Sequence, residues 1–324
     1  MTTTIENRLN LYKLAKRIRL IEEKISLEYA NGKMRCPVHL SIGQEIVSAI
    51  IGLNQDLHDS SISTHRAHAH YLAKGGNLYR MFAEILGKST GCCMGRGGSM
   101  HLIDIDVNFL GSSAIVGNSI PIGVGVGYSY KLRKFKRISF VHFGDGATEE
   151  GVFYESLNFA AVNKVPVIFI CENNRYSVYT NLSKRQPQNR SISRLATEIG
   201  VSSITIDDSD PFKAFQIATE FIEAARSSKL PALIEFNTYR WLEHCGPNDD
   251  DELGYRPKGE LEALMSKDPL EFLLQDMLEK REISRNDINK FITQTRLEID
   301  EAYSLAINDP FPSLESAMSG TYAE

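Results

Sequence analysis

Two short runs, Ile138 to Phe143 and Val165 to Cys171, are almost wholly apolar and rich in β-branched and aromatic residues. Continuous rather than alternating hydrophobicity over this length predicts strands buried on both faces of a sheet. Between them, Val152, Phe153, Leu157, Phe159, Ala160 and Ala161 spread over most of a helical circumference from Glu149 to Asn163, as in a crossover helix packed in a large interior. Pro166 opens the second strand. Strand, helix and strand in this order form a right-handed βαβ unit and bring two carboxyl ends to one sheet edge, the edge where open α/β sheets bind ligands. The unit repeats downstream, with strands at 203–206 and 231–239 and a helix from Pro211 to Arg226. The expected fold class is therefore α/β, a mainly parallel sheet with helices on both faces.

The flanks read as helices. Leu11, Leu14, Ile18, Ile21 and Ile25 recur at spacings of three and four, one apolar stripe that packs on the body of the chain or on a second chain, in a helix ended by Asn31-Gly32. Another helix is expected within SIGQEIVSAIIGL, 41–53. From Pro257 alternating charged and apolar residues predict a helical tail to about Ile307. The organisation is an N-terminal helical segment, 1–35, an α/β domain, 36–260, and a C-terminal helical tail of the same domain, 261–324.

Composition narrows the function classes. A 324-residue chain with 42% hydrophobic residues fills a sizeable core. A net charge of −5 gives no general attraction to nucleic acid or anionic membrane, and the basic cluster Lys131 to Lys136 reads as a solvated connection. MTTTIENRLN lacks the regions of a signal peptide and no apolar run approaches about 20 residues, so the expected location is cytoplasmic. Five cysteines without a CxxC pair suit reduced thiols, and their spacing lacks the ligand pairs of a zinc site with His65, His68 and His70.

Chemistry concentrates at the two strand ends. Neighbouring strands run about 5 Å apart, so Asp145 and Asn174 can point into one volume. Mg²⁺ takes about six oxygens and completes its shell with phosphate and water, so one Asp and one Asn suit a metal diphosphate better than a protein-only cage. Gly144 and Gly146 let a backbone approach closely, and a helix beginning near Thr148 would offer free amides to phosphate. A bare Gly-Asp-Gly is, by itself, only a turn.

The second half of the stretch is more specific. GDG, the segment Ala147 to Glu172, then Asn173-Asn174 resembles the thiamine-diphosphate and Mg²⁺ motif of thiamine-dependent enzymes. GDGATEEGVFYESLNFAAVNKVPVIFICENNRYSVYT resembles the alpha subunit of the decarboxylating component of 2-oxoacid dehydrogenase complexes, the family of pyruvate, branched-chain 2-oxoacid and acetoin dehydrogenases. The likeness runs from about Leu40 to the C-terminus. It implies the thiamine-diphosphate-binding fold, thiamine diphosphate and Mg²⁺ as cofactors, and a metal shell drawn from Asp145, Asn174 and Tyr176. It further implies cofactor contacts from Gly144, Gly146 and Ala147, and from the turn carrying Ala114, Ile115 and Val116.

The same resemblance gives meaning to segments that are ambiguous alone. His65, Arg66, His68 and His70 crowd ahead of Gly75-Gly76, either a site or a solvated helix start. In the family Tyr-Arg stands here and the arginine grips diphosphate, a role implied for Arg66, with His65 in place of the tyrosine. GRGGSMH, within 89–102, matches the family's GKGGSMH loop near the active-site entrance. Gly123, Gly125 and Gly127 fail the GxGxxG spacing, since Tyr128 takes the third glycine's place, and read as helix-packing glycines. In the polar loop 240–260, alignment puts His244 on the family's active-site histidine, in LEHC rather than HGHS, with Cys245 where kinase-regulated members carry serine. The alpha chain of this family holds diphosphate and metal while a beta chain supplies the glutamate that activates the aminopyrimidine. The implied assembly is two alpha and two beta chains, acting on a 2-oxoacid and passing the acyl group to a lipoyl-bearing acyltransferase component. The alternative is a thiamine-dependent carboligase or acetoin-cleaving enzyme not coupled to a lipoyl carrier.

Overall fold

The computed structural model describes residues 4–319. Among these residues eight strands are formed: β1 Ser60–Thr64, β2 Phe109–Ser113, β3 Ser139–Gly144, β4 Val167–Asn173, the two-residue strands β5 Tyr176–Ser177 and β6 Thr180–Asn181, β7 Ser202–Asp207 and β8 Ala232–Asn237. Six of them make one parallel sheet in the order β2-β1-β3-β4-β8-β7, and β5-β6 is a small antiparallel hairpin. Helices α1 Thr4–Tyr29, α2 Glu45–Leu53, α3 His68–Ala73 and α4 Leu78–Ile85 precede β2, apart from β1. Then come α5 Ser119–Leu132, α6 Gly151–Asn163, α7 Leu182–Arg185, α8 Ile192–Ile199 and α9 Pro211–Ser228. The chain closes with α10 Glu260–Met265, α11 Pro269–Glu279 and α12 Arg285–Asn308.

The buried strands divide their side chains by the two-residue period. Phe140, Ile168, Ile170, Ile234 and Phe236 join a core with Leu11, Ile50, Phe215, Ile222 and Leu273, on the face covered by α1, α2, α9 and α11. Val141, Phe143, Val167, Phe169, Cys171 and Leu233 join the opposite core, with Val124, Phe153, Leu157 and Ala196 from α5, α6 and α8. Helices on both faces follow directly from strands that are apolar on both faces. α5 lies against β3 because its glycines permit it. A Cβ on Gly123 would overlap Val141, and one on Gly127 would stand 2.9 Å from Val165 Cγ1, whereas Gly125 faces open space.

The stripe on α1 is satisfied within the chain. Leu11, Ile18, Ile21 and Ile25 are fully buried against α2, α4, α11 and α12, and Leu14 packs on the same clusters. A second chain is therefore not needed to explain it. The C-terminal helices, expected as a tail, complete those cores, with Tyr303 of α12 edge-on to Phe82 of α4 at 5.5 Å. Two strands of the sheet escape the hydrophobic pattern. β1 is SSIST, with one apolar residue, yet all five residues are buried. Two of its small hydroxyls find specific partners: Ser61 Oγ donates to Gln55 Oε1 at 2.9 Å and Ser63 Oγ sits 2.7 Å from His70 Nδ1. β2, FLGSS, lies at the sheet edge and pairs with β1 alone.

After β1 the chain crosses to β2 on one side, and β3 then takes the other side. The crevice between the carboxyl ends of β1 and β3 is thus the topological switch point, where ligands of open α/β sheets bind.

Candidate active site

The carboxyl ends of β1, β3 and β4 open into one cleft. Register explains the convergence: Gly144 pairs with Glu172, so the residues just beyond, Asp145 and Asn173-Asn174, leave the sheet side by side. The lining includes His65 and Arg66 after β1, Gly144 to Ala147 after β3, Asn174 and Tyr176 after β4, Val116, and His244 from the loop after β8. Those are ten of the twelve residues expected from the sequence; Ala114 and Ile115 are not among the lining residues. Ile115 is 66% exposed on the turn beside Val116.

Arg66 is only 6% exposed. Its guanidinium donates to Leu40 O and, at 3.2 Å, to His244 O. No carboxylate lies within ion-pair distance of it among the described residues. Burial, with Arg240 adding to it, pushes its pKa down to about 10, so the group is still a cation at neutral pH. A buried guanidinium held by carbonyls alone has unspent capacity for a bidentate anion.

Across the cleft, Asp145 is 2% exposed and pairs with Arg185, which also pairs with Glu149. Burial raises the Asp145 carboxyl above its usual range, and Arg185 opposes that rise. Asn174 Oδ1 accepts from Tyr176 N at 3.0 Å, and its Nδ2 donates to Gln44 Oε1 at 2.9 Å, which fixes the orientation of the amide. Residues Asp145–Glu149 form a 3-10 turn and α6 begins at Gly151, not near Thr148. The amides free to meet a phosphate are therefore those of the first residues of that turn, before its own hydrogen bonds start. A Cβ on Gly144 would make only an ordinary contact with Glu172 O at 3.9 Å, while one on Gly146 would come within 2.8 Å of Ser177 Oγ.

Three residues of this site have no local sequence pattern. Gln44, in a segment to which the sequence assigned no chemistry, donates to Glu172 Oε2 at 2.8 Å. Glu172 also takes a short hydrogen bond from His70, whose ring stacks on His142 at 4.0 Å. The available signal was an acid near the end of the apolar strand VIFICEN. Its oxygens are engaged by Gln44 and His70, so Glu172 orders the cleft floor. His39 is the third, with its ring 4.5 Å from that of His65 and 5.1 Å from that of His244.

The histidines expected as one cluster separate. His65 joins His39 and His244; His68 lies between Glu22 Oε2 at 3.0 Å and Ser99 Oγ at 2.8 Å; His70 joins Glu172. Burial pushes His244 down to about 3 and His65 down to about 4, with Arg66 adding to both, so their imidazoles are neutral at pH 7. The loop carrying His244 is held by Asp250, buried against Arg256 at 3.1 Å and hydrogen-bonded by Tyr255. Asp250 is therefore a buried, paired carboxylate rather than part of a solvated acidic face. The loop 89–102 is held by Glu84, whose carboxylate accepts from the amides of Cys93, Gly95, Gly97 and Gly98 at 2.6–3.2 Å.

The model of the dehydrogenase E1 component family matches residues 13–315. The chain belongs to this family. It is 36% identical to the alpha subunit of acetoin:2,6-dichlorophenolindophenol oxidoreductase from Bacillus subtilis, over 99% of this chain and 95% of the relative. It is 33% identical to the pyruvate dehydrogenase E1 component subunit alpha of Rickettsia felis, over 91% and 89%, and 34% identical to that of Porphyra purpurea, over 94% and 90%. E1 components are thiamine-diphosphate-dependent oxidoreductases acting on oxo groups, and the relatives are alpha subunits of multi-subunit enzymes.

The cleft fits the E1 cofactor on its own observations. One cleft is lined by a buried guanidinium without a carboxylate partner, a buried carboxylate and an oriented amide oxygen. Cation on one side and oxygen donors on the other suit an anion that carries its own metal. No helix among the described residues is long and apolar enough to cross a membrane.

Proposed function

We propose that this chain is the diphosphate-holding half of an E1 active site of the pyruvate- or acetoin-dehydrogenase type, one that decarboxylates a 2-oxoacid and passes the acyl group to a lipoyl carrier. The observation that carries this reading is the buried, carboxylate-free Arg66 opposite Asp145 and Asn174. Arg66 would hold the diphosphate, the turn at Gly144 to Ala147 would contact it, and Mg²⁺ would be held by Asp145, by Asn174 Oδ1 and by the carbonyl of Tyr176. Val116 would contact the cofactor's apolar middle, with Ala114 and Ile115 behind it on the same turn. When bound, thiamine diphosphate supplies a nucleophilic carbon and the electron sink left carrying the charge as CO₂ departs.

The chain's own residues then do three things. Arg66 fixes the anion. Gln44 fixes the Asn174 amide so that its oxygen, not its nitrogen, is presented to a cation. His244, neutral in the cleft, accepts or returns a proton at an imidazole nitrogen and orients the substrate oxygen.

A beta chain completes the site in this reading. Of the two acids lining the cleft, Glu172 is engaged by Gln44 and His70 and Asp145 is assigned to the metal, which leaves the aminopyrimidine-activating carboxylate to a partner. The rim of the cleft is apolar and exposed at Ile115, Val116, Val178 and Tyr179, as suits closure by another chain. Val178 holds φ +53, strain for a β-branched residue, and its carbonyl accepts from Arg240 at 3.1 Å, so the hairpin tip is built rather than loose.

The test is reconstitution. The chain alone, with Mg²⁺, thiamine diphosphate, an artificial electron acceptor and a panel of 2-oxoacids and acetoin, should give no turnover; addition of the beta chain should restore it. Acyl-lipoamide formation selects coupling to a lipoyl carrier, and acyloin formation or cleavage without it selects the carboligase alternative. Robust turnover by the lone chain contradicts the half-site reading.

A further inference from the structure

Three imidazoles converge from three separate segments: His39 ahead of α2, His65 after β1 and His244 after β8. Their ring centroids are 4.5 to 5.2 Å apart and edge-on to one another. One ring nitrogen from each lies within 4.8 Å of the other two. His39 is 6% exposed, and its Nδ1 is buried with no hydrogen-bond partner. The frame is fixed: His39 bridges to Gly246, and Gly246 N donates to Val38 O at 2.8 Å, which ties the His244 loop to the His39 segment.

We propose that His39, His65 and His244 form a second metal site, distinct from the oxygen-donor site at Asp145 and Asn174, that takes a borderline divalent cation such as Zn²⁺ or Co²⁺. Three neutral imidazoles with an open fourth position form a known zinc donor set. Zinc–nitrogen bonds of about 2.0–2.1 Å put tetrahedral nitrogens roughly 3.3–3.4 Å apart. Closing from the present spacing therefore needs side-chain shifts on the order of an ångström. The fourth position faces the cleft, which His65 and His244 line. Imidazole donors favour zinc over magnesium, so the two sites sort their metals by donor type. The nearby guanidinium of Arg66 opposes a cation here and holds the affinity below that of a closed structural zinc site. A bound ion would occupy the lone pair of His244 and act as a reversible, chelator-sensitive inhibitor. That consequence rests on the proposed role of His244; binding does not.

The experiment uses the full chain, freed of metal by chelator and then saturated with Mg²⁺ to fill the oxygen-donor site. Titration with Co²⁺, followed by visible absorption, should give one equivalent of an intense tetrahedral nitrogen-ligand band. His65→Phe and His39→Gln should each weaken the site at least roughly 100-fold. Cys245→Ser, which alters the exposed thiol beside His244, should leave the band in place. Circular dichroism and a thermal melt establish that each variant is folded, and His65→Phe, at a partly buried position, disturbs folding less than a change at buried His39. A pale octahedral spectrum alone, a band that survives in folded His65→Phe, or one lost in Cys245→Ser overturns the assignment.

Discussion

At the residue scale, the cleft depends on groups buried in states that water would not favour, and Asp208 shows the cost outside the cleft. It is buried at the end of β7, its Oδ2 has no partner, and burial, with Asp207 and Glu45 nearby, raises its pKa from the ordinary 3.8 to about 7. Between those two values the folded state binds a proton that the unfolded chain has released, so this group makes stability fall as pH rises from about 4 to about 7. Asp208→Asn should therefore leave the melting temperature nearly unchanged at pH 4 and raise it at pH 8, by a stability on the order of 2–4 kcal/mol. Equal melting temperatures at pH 8 would contradict the assigned burial penalty. The cleft residues themselves were unequally legible. Asp145, Asn174 and Arg66 stand in motifs of fixed spacing, so the sequence points to them. Gln44, Glu172 and His39 matter because distant strands bring them together, and a residue whose role is to orient another leaves no spacing of its own.

At the element scale, β3, α6 and β4 were readable because both strand faces are apolar and the helix between them has ordinary length. Their boundaries moved by one or two residues, with a 3-10 turn inserted before α6. β1 was not readable. Its burial is satisfied by serine hydroxyls and small volume rather than hydrophobicity, so periodicity carries no signal there. The glycines of α5 were readable as packing residues, and they separate by position. Gly123→Ala should destabilise the fold by roughly 1–3 kcal/mol through overpacking on Val141. Gly125→Ala, facing open space, should be neutral or stabilise by up to about 1 kcal/mol, since alanine loses less backbone freedom in a helix. Urea unfolding of the two variants measures the contrast, and a reversed order would mean that α5 sits differently on β3.

At the scale of the whole molecule, helices packed on both faces of one parallel sheet leave the carboxyl ends of β1, β3 and β4 open to the cleft. α1, α11 and α12 bury apolar faces within the chain, so the stripe on the N-terminal helix needs no partner to cover it. The fold class and the family were legible from the central βαβ unit; the inward packing of α1 was not, because a stripe fixes that a face is buried and not by what. The half-site account makes one demand above the rest: the cleft must hold a metal diphosphate through Arg66. Calorimetric titration of thiamine diphosphate into the full chain, with and without Mg²⁺, tests it in the wild type and in Arg66→Ala. Binding should require Mg²⁺, and the variant should lose affinity by about 10- to 150-fold, the equivalent of a charge-assisted contact of about 1.5–3 kcal/mol. Binding that ignores Mg²⁺, or an affinity unchanged in a folded Arg66→Ala, would contradict the account.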